Sequence, residues 1–126
     1  MKRIKLILVM AAAILATGCA QMNADELVPE LEEQVTADSQ RYLDCMSAYA
    51  AKYAEATDSA TILAEGAGVE CGPVLEDIRA TLTQIMDSKY MSKSYGKKKV
   101  DERIGALEKE ARSKVIDTVV KARVGE

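Results

Sequence analysis

The chain has no histidine, no tryptophan and no phenylalanine, and it has only two prolines and five tyrosines. The missing histidine removes the side chain best suited to proton transfer near neutral pH and the commonest nitrogen ligand for zinc. Three cysteines without histidine make no zinc set of the usual kind, so neither a metal centre nor a cofactor is expected. A core without Phe or Trp must be built from Leu, Ile, Val, Met and Ala. The scarcity of proline leaves long stretches free to be helical. An excess of positive charge is also lacking: 17 Lys and Arg stand against 20 Asp and Glu, a net charge of −3, which argues against nucleic acid as a partner. There is no glycine-rich phosphate loop and no nucleophile motif. Adjacent carboxylates such as Glu32 and Glu33, or Glu108 and Glu110, point to different sides of a helix and read as solvated surface. No catalytic residue is assigned and no enzymatic activity is expected.

What the chain does have begins at its amino terminus. Lys2, Arg3 and Lys5 form a positive cluster, Leu6 to Ala16 is apolar and uncharged, and the small residues Thr17 and Gly18 precede Cys19. Such a run is short for a permanent bilayer span and fits a cleaved export signal. Leu15-Ala16-Thr17-Gly18-Cys19 resembles the lipobox of bacterial lipoproteins, with Ala16 at a position where leucine is commoner. The resemblance implies a signal peptide over 1–18, removed on export, and a Cys19 that carries palmitate or a similar acyl chain. It implies a membrane partner through that lipid and a place in the cell envelope. Ala20, in place of Asp, resembles an outer-membrane destination facing the periplasm. Residues 19–25 then read as a tether and 26–126 as one small domain. Loss of the leader removes three bases and no acid, so that domain is more acidic than the whole chain.

With Cys19 taken by lipid, Cys45 and Cys71 remain as an even pair in an oxidising compartment, and a disulfide within one chain is expected. That bridge constrains the fold. Leu31, Val35, Tyr42, Cys45, Met46, Tyr49 and Tyr53 recur at helical spacing. Asn23 or Asp25 suits the start of this helix, unless Pro29 marks its first turn. If it continued unbroken to Glu65, Cys45 would lie about 30 Å from its end. Six extended residues would return at most about 21 Å, too little to bring Cys71 within bridging range of about 7 Å. A break near Asp58 is therefore expected, with a short helix capped within Thr57-Asp58-Ser59 and stopped by Gly66.

Gly72-Pro73 opens a further helix carrying Leu75, Ile78, Leu82, Ile85 and Met86, fading between Tyr90 and Gly96. A last helix spans about Lys98 to Arg123, with Val100, Ile104, Leu107, Ala111, Val115 and Val119 inward. The expected fold is all-α, a small antiparallel three-helix bundle with a short extra helix over one end.

Two surfaces invite a functional reading. Lys93, Lys97, Lys98 and Lys99 form a basic stretch at the end of the bundle nearest Cys19, where they suit contact with membrane headgroups. Glu26, Glu30, Glu32 and Glu33 compete for the same charges. Ile116, Val119, Val120 and Val124 broaden the apolar face of the last helix beyond what three helices cover, and suit a protein partner. The sequence thus reads as a lipid-anchored helical binding or scaffolding module with an envelope protein as partner. The alternatives are a homo-oligomer resembling the coiled-coil murein lipoprotein, or an inhibitor or exclusion-type lipoprotein. Gly66-Ala67-Gly68 and Gly96 are expected to break the chain, which tells against the long coiled coil. The final Val124-Gly125-Glu126 also lacks the terminal lysine of that family.

Overall fold

A computed structural model describes residues 24–90 and 92–125. The expected signal peptide, Cys19 and most of the expected tether lie outside the described residues. Most of the described residues form four helices: α1 (Ala24–Tyr53), α2 (Ala60–Glu70), α3 (Gly72–Lys89) and α4 (Lys93–Arg123). There is no strand among the described residues, and no described helix is long and apolar enough to cross a membrane.

Paired residues fix the directions of the helices. Arg41 meets Asp77 at 2.9 Å, Cys45 is bonded to Cys71, and Tyr49 lies against Gly66. As numbers rise along α1 they fall along its neighbours, so α2 and α3 follow one another antiparallel to α1. Arg79 meets Asp101 at 2.6 Å and Met86 faces Gly96, which sets α4 antiparallel to α3. Glu32 and Arg103 approach to 3.3 Å at one end, and Arg123 donates to the Ala54 carbonyl at 3.0 Å at the other, so α4 runs parallel to α1.

The core runs the length of this arrangement. Tyr42, Met46 and Ala50 of α1 close on Ile78, Leu82 and Ile85 of α3, with Ile104, Ala111, Val115 and Val119 of α4. The helical spacing of Leu75, Ile78, Leu82, Ile85 and Met86 puts all five inside, as expected. Leu107 is half-buried against the core instead of within it. Asp38, which interrupts the apolar stripe of α1, sits 3.5 Å from Arg41, so its charge is answered locally. Pro29 lies inside α1, not at its first turn; lacking an N–H, it leaves the Asp25 carbonyl without its helical donor.

Cys71 joins α2 to α3. Its N–H bonds the Ala67 carbonyl at 2.9 Å, closing α2, and the next helix opens one residue later with Pro73 in its first turn. The bridge to Cys45 holds the two Cα atoms 6.0 Å apart, so the turn between helices is pinned to the middle of α1.

Two boundaries differ from expectation. α2 does not stop at Gly66 but runs through Gly66 and Gly68 to Glu70. Ala67 is fully buried, and the packing of α2 on α1 and α4 outweighs the poor helix propensity of two glycines. The short helix therefore lies alongside α1 and α4 rather than over one end of the bundle. α4 begins at Lys93, ahead of Lys98, because the Ser92 side chain caps it by accepting from the Tyr95 N–H. Gly96 is consequently inside a helix and breaks nothing. A Cβ there would stand 3.2 Å from the Met86 Cβ, and this close approach of α3 and α4 is what the glycine permits.

Candidate functional site

The basic stretch belongs to the first turns of α4. Lys93, Lys97 and Lys98 are exposed, and none makes an ion pair among the described residues. Lys99 is different: it reaches Glu102 at 3.4 Å and lies over the Tyr95 ring at 5.4 Å. The hydrogen bond to Glu102, with that carboxylate's charge, raises the Lys99 ammonium above its ordinary value. Lys99 thus separates from the other three. No acid stands in the first turn of α4, so Lys93 faces the positive pole of its own helix, an unfavourable placement.

Expected competition from the first helix loses one member: Glu32 is engaged by Arg103, while on α4 itself Asp101 is engaged by Arg79. Glu30 and Glu33 are exposed and make no ion pair among the described residues. Tyr90 and Tyr95 flank the lysines with rings 4.9 Å apart in a T-shaped pair, and both are exposed. Sequence spacing gave no sign that these two would stack, since the first closes one helix and the second belongs to the next. Beside them a groove of about 420 Å³ opens between α3 and α4, with Met86, Gly96 and Val100 as its buried lining and Asp87, Lys93 and Lys97 at its rim.

The apolar face of α4 is only partly as expected. Val119 is fully buried and Ile116 packs against the core, whereas Val120 and Val124 remain 48% and 70% exposed. Val119 leaves the candidate surface because α2 lies along α4 and supplies Leu63, Ala64 and Ala67 to the same core. α2 in turn exposes Ile62 and Val69, one heptad apart on its outer side. Reading a stop at Gly66 hid this face, because Val69 fell outside the expected helix.

The tyrosines of α1 pack as their spacing suggests. Tyr42 is buried, while Tyr49 and Tyr53 are half-buried with ring centroids 4.5 Å apart. Burial raises the Tyr42 phenol above its ordinary value of 10.0; the Glu108 charge adds to the rise and Arg112 opposes it. One further arrangement is invisible to sequence. The Arg123 guanidinium gathers the carbonyls of Ala54, Ala56 and Asp58, at 3.0 Å to Ala54 and 2.7 Å to Ala56, and so ties the end of α4 to the α1–α2 connection. No group of three or more metal-binding side chains occurs among the described residues. No family profile, curated protein or solved structure matches this chain.

Proposed function

We propose that the chain is a lipid-anchored helical module of the bacterial cell envelope that binds or scaffolds another envelope protein and carries out no reaction of its own. The Cys45–Cys71 bridge is the observation that carries this reading. Structural disulfides persist outside the reducing cytosol, which is where a leader ending at Leu15-Ala16-Thr17-Gly18-Cys19 would deliver the domain. Acylation at Cys19 would hold it at a membrane, with an outer-membrane, periplasm-facing position as the expectation from Ala20. In this reading α2 and α3 form one rod broken at Cys71, and the domain is a three-rod bundle stiffened by the bridge.

Ile62, Val120 and Val124 supply exposed apolar area for the partner. The level of Arg123 beside the α1–α2 connection puts Val120 and Val124 at the end of the domain away from Ala24. The test is photo-crosslinking in growing cells with the reactive residue at Val120 or Val124, and at Lys109 as a control. A discrete protein adduct from the valine sites and none from Lys109 supports the module. Identical patterns at all three sites contradict it.

A further inference from the structure

We infer that the end of the domain carrying Tyr90, Lys93, Tyr95, Lys97 and Lys98 docks on an anionic phospholipid bilayer, the same one that holds the Cys19 lipid. The inference rests on the lipid-anchored reading above and adds an orientation to it. Its first support is position. The parallel run of α1 and α4, set by Glu32 and Arg103, brings Lys97 and Lys98 level with the start of α1. From Ala24 back to Cys19 the chain spans at most about 18 Å. An acyl chain on Cys19 would therefore keep this end, and no other, near the bilayer.

Chemistry supplies the second support. Lys93, Lys97 and Lys98 present unpaired ammonium groups among the described residues, while Glu32, Asp101 and Glu102 are each held by a base of the domain. Asp87 lines the same groove as Lys93 and Lys97, and Glu30 and Glu33 of α1 are the other exposed carboxylates without an ion pair among the described residues at this end. Phosphates favour both lysines and the positive pole of α4, so the placement that is unfavourable in water becomes favourable at an anionic surface. Tyr90 and Tyr95, 40% and 44% exposed, add rings with an apolar body and a polar tip, the side chains enriched at the headgroup level of membranes. Lysine stems bury along the same interface while their charges stay among headgroups.

The experiment uses the full chain, purified with its lipid and inserted through it into vesicles of neutral phosphatidylcholine, or of phosphatidylcholine with about one third phosphatidylglycerol. Low-conversion lysine acetylation, read by peptide mass spectrometry, reports the exposure of each site. Lys93, Lys97 and Lys98 should be modified roughly threefold more slowly on the anionic vesicles, with Lys109 and Lys121 unchanged. Half-molar salt should erase the difference, because it shortens the screening length to a few ångströms. Equal rates on both vesicles overturn the docking. Intact mass of the purified protein reads acylation of Cys19 separately, so loss of the anchor and loss of the docking are distinguishable.

Discussion

The Tyr49 hydroxyl occupies the space into which a side chain at Gly66 would project. Position 66 therefore serves the contact between α1 and α2, although glycine is a poor residue for the middle of a helix. Gly68 and Gly105 are also helical but have open space at their Cβ positions. Gly66→Ala should destabilise the domain by about 1 kcal/mol, crowding outweighing the gain in helix propensity. Gly105→Ala, free of crowding, should stabilise it by about 0.5–1 kcal/mol. Urea unfolding measures both. The penalty at Gly66 should vanish in a Tyr49→Leu background; an unchanged penalty there contradicts the assigned contact.

Arg123 makes a second long-range tie. Its three bonds to the carbonyls of Ala54, Ala56 and Asp58 close the α1–α2 connection against the end of α4. Charged donors to carbonyls contribute about 1.5–3 kcal/mol in favourable settings, and two of these three bonds are exposed, so Arg123→Ala should cost about 2 kcal/mol. Arg123→Lys keeps the charge but loses the planar fork and should recover less than half. Full recovery by lysine would show that charge alone, not the fork, holds the connection.

Alkaline pH should weaken the fold through Tyr42. Its raised value means that the folded protein keeps the phenol proton while the unfolded chain releases it, so stability falls as pH rises above about 10 and is intact below it. Tyr42→Phe should flatten this fall between pH 10 and 11, whatever it does to stability at pH 7. Unfolding curves across that range check the difference in slope.

These tests also mark what was legible in the sequence. The break expected near Asp58, between α1 and α2, followed from the reach of the chain between Cys45 and Cys71, and the start of α3 from Gly72-Pro73, because each rests on a hard covalent or steric limit. The two expected glycine stops failed for one reason. Local propensity treats Gly66 and Gly96 as punctuation, whereas the fold uses them where Tyr49 and Met86 approach closely and a Cβ would be crowded. The early start of α4 came from Ser92, a cap whose weight the lysines behind it obscured. Val119 illustrates the remaining difficulty. Its exposure depends on whether α2 lies over it, and that depends on α2 continuing past Gly66. At the basic end, Lys99 could be told from its neighbours only once Glu102 and Tyr95 were placed around it.

The bridge should carry much of the domain's stability. It closes a separation of 26 residues, and a loop of that size corresponds to about 3.5 kcal/mol on the chain-entropy account. Replacing both Cys45 and Cys71 by Ala should lower the melting temperature by roughly 15 °C. A melt unchanged by that replacement would leave the turn at Cys71 to be held by packing alone.

Intact mass spectrometry of the protein isolated from its native cells tests the central claim most directly. The account predicts a chain that starts at Cys19, bears acyl mass on that residue, and resists alkylation at Cys45 and Cys71 until it is reduced. A chain that retains Met1, carries no lipid and reacts at once at both later cysteines would contradict it.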